Sequence, residues 1–460
     1  MLRSEMMSMR FRALAAGVVA ACAASPEVRP QHLLSVDTDL PASGTPGANP
    51  LLAVDTLRID VYDVGGVRLV STRDFAVNDP SSWPLTFGVS GAARVRLRAY
   101  QARTAAPSNL EPDPATTVDR LVDLPSPGPG VESAQVVLHS DCIGRPSDVA
   151  LGFSCVDGAS SRGPASSGIG PPAPGSRQGS WPGARSRPCT APAPVADAAC
   201  VPGGYDIVGQ SNLLGIKVPD LEPFPVRPVV LSAVYMDRTE YTVGRFRRQL
   251  ARPWVPRATM PDLPRADADS LEYCTFRGAD DPSNDQLPLN CVDSLLAAEL
   301  CALEGGELPS EAQWEHAARA GDGRTYPWGA GAPRCCTVST SRDPRVDGGA
   351  VCPADPVVEP VASHRGNASC VGDVTPQGVF DLGGSLTELV RDRFAPPAEA
   401  WLPGLARDPV SIAPTGDIVA KGGNFSAGVE FTRPAYREAV DQNARSSLEG
   451  FRCIYRGEAP

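Results

Sequence analysis

The chain has 460 residues, of which 42% are hydrophobic, and a formal net charge of −11. That length supports two or three domains, while an acidic balance without a long basic run excludes a phosphate-tracking nucleic-acid binder. Glycine (44) and proline (48) make up about a fifth of the chain, against roughly 12% on average, so the expected structure is rich in turns and poor in regular helix.

The first residues read MLRSEMMSMRFRALAAGVVAACAAS. Arg10 and Arg12 precede an apolar run at 13–21 that is too short to span a bilayer. The run ends VAAC, which resembles a bacterial lipobox. Residues 1–21 are therefore expected to be a lipoprotein signal peptide and Cys22 the acylated residue that ties the chain to a membrane. Ala23 rather than Asp follows Cys22, which by the same resemblance favours the outer membrane of the cell envelope. The alternative is an ordinary secretory signal with an incidental cysteine. Of the 13 cysteines, twelve remain after Cys22, an even number that suits disulfides in an exported chain. No paired CxxC motif is present and the four histidines are scattered, which argues against structural zinc.

Residues 22–50 read as a flexible tether. Residues 51–140 hold short alternating segments such as TLRIDVYDV, ARVRLRAYQA and ESAQVVLHS, separated by Gly, Pro, Asn and Asp. They predict a small all-β, sandwich-like domain whose function the sequence does not disclose. Residues 141–201 are dominated by Pro, Gly and Ser and read as a linker. Within them, a Cys142–Cys155 bridge would close a short loop and contribute about 3 kcal/mol, and Cys189 and Cys200 could form a second local pair. The remainder, 202–456, reads as one domain with three helices. One starts near Tyr241. One follows an Asp293 N-cap, with Leu296, Leu300 and Leu303 on one face. One follows Ser310 and Gln313, in an S-x-x-Q capping box. Cys274 and Cys291 are a further local pair.

Four segments in that domain occur in series: MDRTEYTVGRF, GGELPSEAQWEHAARAGDGRTYPWG, GVFDLGGSLTELVRD and KGGNFSAGVEFTRPAYREAVDQNARSSLEGFRC. In order and spacing they resemble the formylglycine-generating enzyme (sulfatase-modifying factor) family over about 250 residues. The resemblance implies an α+β, C-type-lectin-like fold with little regular structure. Active members oxidise a protein cysteine with molecular oxygen and copper held by two thiolates. The matching positions here are Ala427 and Thr432, and no cysteine lies between Gly422 and Arg452. Soft Cu(I) needs thiolate or thioether ligands, so copper is not expected and no catalytic residue is assigned. A second branch of the fold uses non-haem iron and a histidine-rich helical domain, which this chain lacks.

The resemblance also implies a Cys301–Cys453 disulfide and a calcium site at the GGSLTEL segment, where Ser385, Glu388 and Asp381 stand as oxygen donors. Asn424, Phe425, Ser426, Arg433 and Arg445 are the expected lining of a ligand cleft. Trp314, Tyr326 and Trp328 are read as core aromatics rather than a ligand box. The functional expectation is a non-catalytic, family-like domain that binds a peptide or glycan or serves a structural role. The alternative is an oxidoreductase acting on a protein cysteine or another sulfur substrate.

Overall fold

The computed structural model describes residues 29–106, 109–156, 162–164, 178–209, 225–265, 271–331, 333–334, 336–340, 357–396, 404–414 and 416–458. The expected signal peptide at 1–21, Cys22, Cys335 and Cys352 lie outside the described residues. The architecture is mixed α/β, with many short sheets and, among the described residues, three α-helices. No described helix is long and apolar enough to cross a membrane.

The N-terminal part contains seven strands: β1 (Gln31–Thr38), β2 (Thr56–Tyr62), β3 (Leu69–Ala76), β4 (Leu85–Val89), β5 (Ala93–Tyr100), β6 (Val118–Leu124) and β7 (Val131–Leu138). They form one sheet in the order β4-β1-β7 and another in the order β3-β2-β5-β6. The expectation of a tether at 22–50 is corrected here. β1 is a central strand, parallel to β7 and antiparallel to β4. Its partner in β7 lies about a hundred residues away, so no local turn signal announces the pairing. Leu34 and Val36 on β1 are fully buried, as period-two alternation requires.

The linker expectation is corrected in part. Trp181 is buried, packs edge-on against Tyr205 at 6.1 Å and donates its indole N–H to Asp141. After β8 (Phe153–Cys155) and β9 (Arg162–Pro164), the linker's last residues form β10 (Ala198–Val201). One hydrophobic cluster joins Leu34, Leu57, Leu97 and Val136 of the N-terminal sheets to Trp181, Tyr205 and Val230. A composition poor in apolar residues hid a few well-placed anchors.

The C-terminal part adds β11 (Gly204–Val208), β12 (Arg227–Leu231), β13 (Val234–Asp237), α1 (Val243–Leu250), α2 (Ser294–Leu303), α3 (Glu311–Arg319), β14 (Thr387–Arg393), β15 (Ala406–Arg407), β16 (Asp417–Lys421), β17 (Glu438–Asp441), β18 (Glu449–Gly450) and β19 (Ile454–Arg456). Asp293 caps α2 by accepting from the Leu296 amide, and Ser310 and Gln313 close the reciprocal capping box of α3. The sheet ordered β17-β16-β14-β18 positions the site. Disulfides join Cys142–Cys155, Cys189–Cys200, Cys274–Cys291, Cys301–Cys453 and Cys336–Cys370.

Candidate functional site

β16 runs into a turn at Gly422 and Gly423, with φ of 95° and 69°. These left-handed values favour glycine, and close packing adds a second reason. A Cβ on Gly422 would lie 3.1 Å from both the Leu382 carbonyl oxygen and the Trp314 ring, and one on Gly423 would lie 3.0 Å from Phe431. The turn delivers Asn424, whose side-chain oxygen accepts from the Ser426 amide at 3.0 Å while its amide donates to Thr387 at 2.9 Å. Phe425 is buried edge-on against Tyr273 at 5.7 Å, and its backbone N–H donates to the Ser385 carbonyl. Asn424 and Phe425 thus brace the segment from within, while Ser426 is exposed.

The two positions expected from the resemblance to match copper thiolates offer no ligand for that metal. Ala427 offers a methyl group, and the buried Thr432 hydroxyl donates to the Val429 carbonyl at 2.7 Å. Cys336, which follows Cys335 directly in the sequence, is bonded to Cys370. Arg433 lies 5.8 Å from the Tyr326 ring centroid, and Tyr326 stacks on Trp328 at 4.9 Å. Arg445, expected beside it as a free cleft cation, is instead paired with Asp262 at 3.1 Å. That partner lies 183 positions upstream in sequence, which no local pattern reveals. Trp314 is fully buried.

Beneath the turn lies a buried ionic network. Lys421 is fully buried, 3.2 Å from Glu315 and 3.5 Å from Glu311. Arg437 makes two 2.9 Å bonds to Glu311. Asp392, accepting from the Glu311 and Ser411 amides, is pushed up to about 7 by burial and by the Glu311 charge.

The expected calcium donors divide. Glu388 is committed elsewhere: Arg452 grips it at 2.7 and 2.5 Å, and Trp314 donates to it at 2.8 Å. Its placement as a calcium ligand is corrected, because these bonds occupy both of its oxygens. Asp381 and Ser385 instead lie beside Glu240, a fully buried carboxyl to which both side chains turn. Burial lifts Glu240 well above the ordinary carboxylate range, and the Asp381 charge adds to the shift. Burial raises Asp381 as well. Asp373 is pushed up to about 8 by burial and then by Asp381, and one of its oxygens is without a donor. This all-oxygen donor set fits a hard cation in kind, although among the described residues no three such side chains close on one point. Glu240 sits in MDRTEYT, a segment legible as a family motif but not as a donor. It also lines a cavity of about 460 Å³ beside α1, bordered by Asp197, Arg245 and Glu304.

Another buried ion pair went unread in the sequence. His316 on α3 places one ring nitrogen 2.5 Å from Asp206 and the other 2.8 Å from the Pro202 carbonyl. Both neighbours are acceptors, so the ring satisfies both only as imidazolium. Burial opposes that charge, but Asp206 outweighs it and His316 titrates above its ordinary value.

The sulfatase-modifying factor enzyme 1-like domain matches this chain over residues 185–456. The formylglycine-generating enzyme of Mycobacterium tuberculosis is 30% identical over 162 residues, covering 33% of this chain and 51% of the relative. That of Streptomyces coelicolor is 31% identical over 160 residues, covering 32% and 46%. The chain thus spans about half the length of the curated relatives it matches. The solved structure of PvdO from Pseudomonas aeruginosa is 20% identical with a TM-score of 0.45, covering 59% of this chain and 99% of that one. With four motif segments in series and a family match across more than half its length, the chain belongs to the sulfatase-modifying factor enzyme 1-like family.

Proposed function

We propose that this protein is a lipid-anchored envelope protein whose family domain binds a ligand rather than running the copper oxidation of active relatives. One observation carries the reading: Ala427 and Thr432 stand where two thiolates are needed, and no cysteine lies between Gly422 and Arg452. Methyl and hydroxyl groups do not hold Cu(I), so no oxidative step is derived through copper. We read the domain as C-type-lectin-like and the N-terminal sheets as a sandwich that carries it.

The ligand we favour is a peptide or glycan bearing a carboxylate. Ser426 is exposed beside the glycine turn, and Arg433 lies half-buried against Tyr326. A guanidinium fixed on an aromatic face suits a planar carboxylate. Asp381 and Ser385 stay beside Glu240, but among the described residues no three carboxylates close on one point, so no calcium ligand set is assigned. The anchor is Cys22, supported by the VAAC sequence alone.

The test is direct. Purified protein with copper(I), oxygen and a sulfatase-type cysteine peptide is expected to consume no more oxygen than copper and peptide alone and to yield no formylglycine; product formation would overturn the binding reading. On peptide and glycan arrays, acidic ligands should bind wild type and not Arg433→Ala. An empty array would leave a structural role in place of ligand binding.

A further inference from the structure

The strand registers bring several chain segments to one end of the N-terminal sheets. His32, at the start of β1, faces Val89 at the end of β4. After a three-residue turn, Arg94 at the start of β5 faces Tyr62 at the end of β2. Gln31 faces Val131 at the start of β7. The entry to β1, the 63–68 hairpin, the 90–92 turn and the start of β7 therefore share that end.

Arg94 draws one more loop to it. Its guanidinium bonds Asp123 and donates to the Val149 carbonyl at 2.6 Å. Gly66 and Gly152 both pack against it, since a Cβ on either would lie 2.9 or 2.6 Å from its nitrogens. The hairpin and the 149–153 loop thus meet over one side chain, and together they expose apolar residues. Val67 is 85% exposed and Leu151 71%, flanked by Val64, Leu69, Val70 and Phe153, also exposed. Two carboxylates border this tip, each bonded to its loop backbone: Asp63 accepts from the Val67 and Arg68 amides and Asp148 from the Leu151 amide, while the side chain of Arg68 stays exposed.

We infer that this apolar end docks on a lipid bilayer, with Val67 and Leu151 entering the headgroup–acyl boundary. The inference rests on the proposed anchor at Cys22. Nine residues, 22–30, separate that cysteine from β1. Fully extended they reach about 30 Å, and they join the folded unit at the end that carries the apolar tip. An acylated Cys22 therefore holds this end, rather than another face, near the bilayer. Apolar side chains beside a cation suit such an interface.

The experiment uses the full chain, wild type and Cys22→Ala, with vesicles of phosphatidylethanolamine and phosphatidylglycerol. A benzophenone amino acid replaces Val67 or Leu151, or, as controls, the exposed Val255 or Ile412. Flotation of the wild type and its loss in Cys22→Ala reports the anchor. Docking predicts about fivefold more lipid photo-adduct at 67 and 151 than at 255 and 412. Flotation with equal adducts at all four positions overturns docking and leaves the anchor standing. Adducts to a second copy or to another protein in place of lipid also overturn docking. Absence of wild-type flotation overturns the anchor reading and the docking with it.

Discussion

Arg452 closes a two-pronged ion pair on Glu388, at 2.7 and 2.5 Å, with both side chains almost wholly excluded from solvent. Glu388 lies on β14, between β16, which ends in the glycine turn, and β18, which leads to the final Gly-Phe-Arg-Cys. One carboxylate thus fastens the two ends of the C-terminal motif, and Trp314 donates to the same group.

Breaking that pair on one side strands a buried charge. Arg452→Met alone or Glu388→Leu alone should cost about 3–5 kcal/mol, and the double substitution should cost less than either single one. Urea unfolding with the disulfides intact measures this. A double variant that loses the sum of both singles would show that the two residues act independently.

Glu311 neutralises both Lys421 and Arg437 in the buried network. Glu311→Ala should therefore destabilise by about 3–5 kcal/mol, and Lys421→Met in that background should recover part of the loss. Thermal unfolding of the two variants side by side tests the order.

Cys301 and Cys453 are 152 positions apart. Replacing both with serine should lower stability by about 5 kcal/mol in the chain-entropy account. Replacing Cys189 and Cys200, which are 11 apart, should cost less. Non-reducing denaturation ranks the two.

Stability should fall as pH rises. Asp373 binds its proton more tightly folded than unfolded: its pKa moves from 3.8 to about 8. Its contribution is full below 3.8 and is lost as pH climbs through 8. His316, also raised, acts with the same sign: its contribution is present below 6.5 and lost above its folded value. Melting temperatures taken in chelator between about pH 5 and 9 should decline, less so in Asp373→Asn and in His316→Gln.

The family core was legible because its signals are local. Asp293, Ser310 and Gln313 mark helix starts through bonds that span three residues, and the glycine pair marks a turn that admits no side chain. What escaped depends on distant partners. Arg445 reads as a free cation until Asp262 is brought beside it, and Glu388 reads as a metal donor until Arg452 claims its oxygens. Residues 31–38 read as a tether because their strand partner lies far down the chain. The Glu240–Asp381–Asp373 cluster draws on two separate motifs and the loop preceding one of them, none of which singles out a buried carboxyl.

The parallel pairing of β1 with β7 has a consequence for the order of assembly. Residues 31–38 pair in register with 131–138, so β1 cannot be completed on both sides until the chain has emerged about a hundred residues further. Such non-local closure is slow relative to hairpin formation. As the chain emerges, the β2–β3 hairpin can zip as soon as it appears, while β1 waits as an open template. A holdase chaperone acting on this protein would meet that waiting strand first.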